Sequence, residues 1–405
     1  MKYIIVLGDG MADEPLAAFG GKTPLQMAEK PAIDSLAKNG RTGQLITVPD
    51  DLHPGSEIAN MSVMGYDVHT VFEGRGVLEA ASIGVTLEEN DLALRCNLIC
   101  IEDEKIKNHS AGHISNVEAY ELIEFLNKRL GNDIIRFYPG VSYRHLLVIK
   151  GGKKQLDCTP PHDVPGQPFR PCLVKPQDDA AANTAKLLNY LILRSQAFLA
   201  DHPVNQKRKE AGKDVANSIW PWSPGYKPQM PTFKELHGIE SSAVISAVDL
   251  IQGIGIYAGM DVIKVEGATG LYDTNYEGKA QATINALKDH DLVYLHVEAS
   301  DEAGHEGDVE LKTKTISYLD GRIVKYLIEE TAKMEEPVTI AVLPDHPTPC
   351  ATKIHTRDAV PFIIYRPGET PDAAQFYDEF EVKKGAYGIL KGNEFMTALL
   401  RKEKR

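Results

Sequence analysis

Residues 2–7 form an almost unbroken apolar run rich in β-branched side chains, and Gly8-Asp9-Gly10 ends it. A short run of this kind, bounded by a turn, is the pattern of a strand covered on both faces. The period then changes. Leu25, Ala28, Ala32 and Leu36 recur on one helical face and Gly40 supplies a stop, so one helix is expected over 24–38. The same grammar returns late in the chain. Residues 292–297 are apolar and lead into Glu298; Ile316, Leu319, Ile323 and Leu327 follow at helical spacing; 338–343 and 361–365 are two more buried-strand candidates. Strand, polar turn and helix in alternation predict an α/β fold.

The middle of the chain reads differently. Ser115-Asn116-Val117-Glu118 is a capping box ahead of a helix carrying Val117, Ile123 and Leu126, with Gly131 as its stop. Residues 145–149 suit a strand, 151–179 are rich in Pro and Gly and read as loop, and 181–199 suit another helix. Residues 202–233, which hold Trp220 and Trp222, show no regular period. The expected organisation is a discontinuous catalytic domain, 1–86 with 241–405, interrupted by a smaller inserted domain over 87–240.

Charge narrows the function. Lys and Arg number 44 against 57 Asp and Glu, a formal net charge of −13 with no basic tract, which argues against a nucleic-acid partner. An anionic substrate must therefore meet a local cluster of arginines or metal ions. The five cysteines, Cys96, Cys100, Cys158, Cys172 and Cys350, are odd in number and scattered, so no disulfide framework is expected. No apolar stretch approaches the roughly 18 residues of a membrane span, and the first residues lack a signal pattern, so cytoplasmic residence is the expectation. Neither a phosphate-binding Gly-Lys loop nor a dinucleotide fingerprint occurs.

Carboxylates and imidazoles gather at the strand ends. Asp301 and His305 are four apart just after 292–297, and would face one point on a helical turn. Asp345 and His346 follow 338–343, His355 precedes 361–365, and Asp9 follows the first strand. Any one of these is an ordinary surface turn in many proteins. Together they place oxygen and nitrogen donors where α/β sheets carry their sites, and their number fits two divalent ions better than one. Ser56 lies in Pro54-Gly55-Ser56-Glu57-Ile58-Ala59-Asn60. Two readings stay open there: a plain helix N-cap, or a nucleophile activated by a nearby ion. Anion contacts could come from Arg75, Arg95, His109, His113 and Arg144, although a lone arginine is more often half of a surface ion pair.

These motifs in this order resemble the archaeal-type branch of the cofactor-independent (2,3-bisphosphoglycerate-independent) phosphoglycerate mutases, in the alkaline phosphatase superfamily. The matching pieces are GDG at 8–10, PGSEIANMS at 54–62, EGRGVLEA at 73–80, RCN at 95–97, HSAG at 109–112, ATGLYDTNYEGK at 268–279, DEAGHEGD at 301–308, Asp345-His346 and His355. The resemblance implies an alkaline-phosphatase-like, mostly parallel central sheet with helices on both faces, and an inserted α/β domain that binds substrate and acts as a lid. It implies two divalent ions (Mn, Zn, Co or Mg) and no 2,3-bisphosphoglycerate. One ion would be held by Asp301, His305 and His355, the other by Asp9, Ser56, Asp345 and His346. Ser56 would become phosphoserine while 3-phosphoglycerate and 2-phosphoglycerate interconvert, with His109 aiding transfer. Arg75, Arg95, His113, Arg144 and Lys279 would contact a small phosphorylated metabolite. The chain departs from that branch at His113, where Arg is usual, and at Pro160-Pro161-His162, where Asp-Pro-His is usual. The departures keep an alternative open, a homoserine kinase-like phosphotransferase of the same family using ATP. A phosphatase or phosphopentomutase is a weaker alternative, and the oligomeric state is left open.

Overall fold

The computed structural model describes residues 1–401. Internal contacts divide the chain into two units, Met1–Phe72 with Met230–Arg405, and Glu73–Gln229. The junctions differ from the expected 86/87 and 240/241 for local reasons. The helix Arg75–Ser82 packs on the strand Asp91–Glu102 of the smaller unit. The helix Phe233–His237 belongs to the larger one, where the Phe233 ring meets Tyr66 at 6.3 Å and His237 Nε2 lies 2.8 Å from the Met64 carbonyl. No helix among the described residues is long and apolar enough to cross a membrane.

Among the described residues the larger unit holds an eight-stranded sheet. Its order is Asp261–Val262, Ser242–Ile245, Leu292–Val297, Lys2–Gly8, Val338–Leu343, Val360–Tyr365, Arg41–Ile46 and Ile389–Lys391. Val360–Tyr365 runs antiparallel to both of its neighbours, and the other described pairings are parallel. Ile4 and Val6 on one face of the first strand join Leu36, Leu295, Ile323 and Ile340 in a core cluster, while Ile5 and Leu7 on the other face are equally buried. Burial on both faces is why these strands read as continuous apolar runs.

The expected helix over 24–38 is two helices, Pro24–Met27 and Pro31–Asn39. Pro31 has no N–H to donate and disfavours helical geometry at Lys30, which sits at φ −141°. Asp320, from a distant helix, accepts the free Ile33 N–H at 2.7 Å and so supplies the start of the second helix. Ile316, Leu319, Ile323 and Leu327 are all buried, on helical turns that widen to π geometry over Leu319–Val324.

The smaller unit pairs Asp91–Glu102 with Arg144–Lys150, and Ile135–Tyr138 with Arg144–Lys150, all antiparallel. The capping box forms: Ser115 Oγ accepts the Glu118 N–H and the Glu118 carboxylate accepts the Ser115 N–H at the start of Asn116–Leu130. Its inward face carries Ala119, Leu122, Ile123 and Leu126, whereas Val117 is 80% exposed. The stretch 202–233 is more regular than its sequence suggests. It contains the helix Pro203–Glu210 and the strand Ser218–Gly225, which pairs with Asp91–Glu102. Pro221 and Pro224 hid that strand from a propensity reading, but prolines are tolerated at a sheet edge. All five cysteines are free thiols.

Candidate active site

Register explains why distant residues meet. Gly8 pairs with Val297, and Leu7 pairs with Leu343. The three central strands therefore end almost level, with neighbours about 4.8 Å apart. Asp9, Glu298 and Asp345 start the loops that leave that edge. Val360–Tyr365 is antiparallel, so it enters the sheet from the same edge, and His355 just before it arrives there too. Asp301 and His305 lie on the helix Ala299–Glu306, one turn apart and on one face. Gly10 has φ +59°, and a Cβ there would collide with Asp301 and Thr348; this close approach also lets Gly10 N–H reach Asp345 Oδ1 at 3.2 Å.

Two donor groups result. In the first, His305 Nε2 is 2.9 Å from His355 Nε2 and 3.1 Å from Asp301 Oδ2, and His355 Nε2 is 3.4 Å from Asp301 Oδ1. His305 Nδ1–H donates to the Lys353 carbonyl at 3.0 Å, which leaves Nε2 as the lone-pair atom of the neutral ring. Thr348 Oγ1 donates to Asp301 Oδ1 and fixes that carboxylate. In the second group, His346 Nε2 is 3.1 Å from Ser56 Oγ, 3.4 Å from Asp345 Oδ2 and 3.6 Å from Asp9 Oδ1. Asp345 is held by Gly10 N–H, by His346 N–H at 2.9 Å and by Asn60 Nδ2 at 2.8 Å. Ser56 is the first residue of the helix Ser56–Val63, whose N-cap is Gly55. Its hydroxyl therefore has no capping role and faces His346.

The electrostatics of this cluster call for positive charge. Burial, then the neighbouring Asp345, Glu298 and Asp301, raise the Asp9 carboxyl well above its ordinary range. Burial and Asp301 raise Glu298 to about 8. Burial would raise Asp301 too, but hydrogen bonds from His305 and His355 overcome it and hold Asp301 well below the usual range. In return Asp301 lifts His305 to about 9. Asp9 Oδ1 and Glu298 Oε2 are buried without a hydrogen-bond partner. Converging carboxylate oxygens and imidazole nitrogens with orphaned lone pairs fit divalent cations, and an ion at His305 would displace the proton now held there. Among the described residues, three overlapping sets have metal-ligand spacing: Asp301, His346 and His355; Asp9, Asp345 and His346; and Asp9, His296 and Glu298.

His296, Glu298 and Tyr294 were not among the sequence candidates. They alternate along one face of an apolar stretch, and each meets the site. Tyr294 OH donates to Asn60 Oδ1 at 2.6 Å, and His296 Nε2 lies 2.8 Å from Asp9 Oδ2. Three polar side chains at spacing two in a buried run are a readable signal. Lys279, expected as a substrate contact, is 1% exposed. Its Nζ donates to the His296 carbonyl at 3.1 Å, and burial lowers it to about 8.

In the smaller unit a second cluster forms from Arg75, Arg95, His109, His113, Arg144 and His162. The His109 ring is 5.5 Å from Tyr143 and 6.0 Å from His162; His113 is 6.4 Å from Tyr143, over which Arg144 lies at 5.6 Å. Arg95 sits 5.0 Å over Trp222 and pairs with Glu79 at 3.1 Å. Burial first, then His113 and Arg95, lower the His109 pKa. Burial also lowers His162, as do the nearby Arg95, His109 and Arg75. Neutral imidazoles among guanidinium groups make a surface that gains protons when an anion arrives. His162 and Trp222 were not sequence candidates.

A family model described as 2,3-bisphosphoglycerate-independent phosphoglycerate mutase matches residues 37–205. The 2,3-bisphosphoglycerate-independent phosphoglycerate mutase of Methanosarcina acetivorans is 51% identical, over 99% of this chain and 100% of that one. A probable enzyme of the same name from Geobacter sulfurreducens is 47% identical, with 99% and 100% covered. Among solved structures, a protein from Pyrococcus horikoshii superposes with a TM-score of 0.84 at 29% identity, covering 100% of this chain and 98% of that one. A cofactor-independent phosphoglycerate mutase from Thermoplasma acidophilum superposes with a TM-score of 0.69 at 26% identity, with 99% of each chain covered.

Proposed function

The chain belongs to the 2,3-bisphosphoglycerate-independent phosphoglycerate mutase family, and from that premise we propose that it interconverts 3-phosphoglycerate and 2-phosphoglycerate through a phosphoserine at Ser56. The observation that carries the reading is Ser56 Oγ held 3.1 Å from His346 Nε2 beside a buried cluster of carboxylates. Asp301, His305 and His355 are suited to hold one divalent ion, and Asp9, Ser56, Asp345 and His346 a second, drawn from Mn, Zn, Co or Mg. Such ions, when bound, neutralise phosphate charge and make the serine hydroxyl easier to ionise.

The chain's own residues do the rest. His346 Nδ1 lies 3.3 Å from Thr348 Oγ1, whose single proton is committed to Asp301, so His346 Nδ1–H donates and Nε2 keeps its lone pair toward Ser56. Gly10, Asn60 and the His346 amide keep Asp345 fixed, so the donor set needs little rearrangement when the phosphoryl group arrives. On the smaller unit, Arg75, Arg95 and Arg144 suit the phosphate and carboxylate of a phosphoglycerate. His109, neutral at pH 7 by its lowered pKa, suits proton transfer at the sugar-acid hydroxyl. Ser56 Oγ gives up its proton and bonds to phosphorus as the bond from phosphorus to the glycerate oxygen breaks and that oxygen takes up a proton, so no net proton is gained or lost; the reverse step places the phosphoryl group on the other hydroxyl.

Two assays run side by side test this. Manganese-loaded protein with 3-phosphoglycerate alone should feed an enolase-coupled assay, and chelator should stop it. Consumption of ATP only when homoserine is present, with no turnover of 3-phosphoglycerate, would replace the mutase reading by a kinase one.

A further inference from the structure

His296 is fully buried inside the strand Leu292–Val297, and both of its ring nitrogens are engaged. Nε2 lies 2.8 Å from Asp9 Oδ2, and Nδ1 lies 3.1 Å from Ser246 Oγ. A neutral imidazole carries one N–H, and an ionised carboxylate only accepts. With Asp9 ionised, as a ligand must be, the N–H therefore sits on Nε2 and the Ser246 hydroxyl donates to Nδ1. Ser246 is itself fixed. Its Oγ accepts the Val248 N–H at 3.0 Å, and Gln252 Nε2 donates to its carbonyl at 2.8 Å. Ser246 follows the strand Ser242–Ile245, which pairs in parallel with Leu292–Val297, so the support comes from the sheet and not from a loose loop.

The contact engages Oδ2 of Asp9 only. Oδ1, the buried oxygen with no protein partner, is left 3.6 Å from His346 Nε2. We infer that His296 is a positioning residue: its ring, held in place by Ser246, turns Asp9 so that Oδ1 is presented to the ion shared with Ser56, Asp345 and His346. This rests on the two-ion reading above. A direct ligand role for His296, with Asp9 and Glu298, is the competing arrangement: those donor atoms also have metal-ligand spacing, and it requires the Nε2 proton to give way to an ion. Lys279 Nζ, 3.1 Å from the His296 carbonyl, also brings a positive charge to that side of the cluster.

Outer-shell partners of metal-bound side chains typically govern about 10–100-fold in metal affinity. The test is calorimetric titration of Mn²⁺ into the chelator-stripped full chain, for wild type, His296→Leu, His296→Gln and Ser246→Ala, with urea unfolding of each in chelator. Wild type should bind two ions. His296→Leu should weaken one of them by about 10–100-fold and spare the other. His296→Gln, whose amide N–H can still reach Asp9, should recover most of the loss. Ser246→Ala keeps the ring and serves if the leucine variant does not fold; it should weaken the same ion by a smaller factor. Unchanged binding of both ions in a folded His296→Leu, or in Ser246→Ala when the leucine variant does not fold, overturns the inference alone. So does a third ion in wild type that His296→Leu removes, which would make His296 a ligand. Absence of any ion from wild type overturns both this inference and the two-ion reading.

Discussion

Replacing Lys312 with Met removes one charge from the interior and should unfasten two loops at once. Lys312 projects from the helix Val309–Tyr318 and is fully buried. Its Nζ donates to the Ala12 carbonyl at 3.0 Å, to Asp13 Oδ2 at 2.8 Å and to the Thr348 carbonyl at 2.8 Å. Asp13 Oδ2 also accepts the Cys350 N–H at 3.1 Å. The ammonium thus clamps the loop that carries Asp9 to the loop that carries Asp345 and His346. Methionine keeps the apolar stem but leaves the Asp13 carboxylate buried without its partner. Breaking a buried pair from one side costs about 3–5 kcal/mol. For a unit of this size each kcal/mol lowers Tm by about 2–4 °C, so a drop of about 6–20 °C is expected in scanning calorimetry with chelator present. Lys312→Met combined with Asp13→Asn should recover part of that loss, because no unpaired charge remains. Turnover should stay low in the double variant, since the loops are still untied. A Lys312→Met protein that melts within about 1 °C of wild type and turns over normally refutes the clamp.

Other expectations follow from the same geometry. Adding Mn²⁺ to stripped protein at about 100 times its Kd should stabilise the folded state by about 2.7 kcal/mol per site, read as a Tm increase that chelator reverses; no shift would speak against the ion sites. His145 is buried with Nδ1 accepting the Gly140 N–H at 3.0 Å, and burial pushes its pKa down to about 3. Because the unfolded ring titrates near 6.5, the stability it contributes is complete above that pH and is lost as pH falls toward 3, at about 1.4 kcal/mol per unit. Urea titrations at pH 7 and pH 5 should therefore show wild type losing about 2 kcal/mol more than His145→Asn, and equal losses would contradict this. Arg75→Met should raise the KM for 3-phosphoglycerate by about 10–100-fold through loss of a charged hydrogen bond, with Tm little changed; an unchanged KM would remove Arg75 from the substrate contacts.

Much of the fold was legible because its central strands are buried on both faces, which gives apolar runs with no competing pattern. Asp9, Asp301, Asp345, His346 and His355 were legible for a related reason: each lies beside a strand end, and adjacent strands with level ends bring such residues together whatever their separation in sequence. Four features were not read. Pro31 breaks a convincing amphipathic pattern, because an imino nitrogen counts for more there than the spacing of Leu25 to Leu36. The strand Ser218–Gly225 is masked by its own prolines. Tyr294, His296 and Glu298 lie in or just after a run whose mean hydropathy is high, so their polarity was averaged away although their alternation was visible. Lys312 was missed for the opposite reason. Its helix is rich in Lys, Thr and Glu and looks solvated, and only the tertiary structure shows that this one ammonium points inward.

The central claim is that the phosphoryl group passes through Ser56, and trapping the phosphoenzyme tests it most directly. Manganese-loaded wild type and Ser56→Ala would be mixed with phosphate-labelled 3-phosphoglycerate, quenched in acid during turnover, digested, and the labelled peptide sequenced by mass spectrometry. Label on Ser56 of wild type, its absence from Ser56→Ala, and loss of 2-phosphoglycerate formation by that variant are the predicted results. Label that persists on Ser56→Ala, or mutase turnover that survives the substitution, would contradict the account.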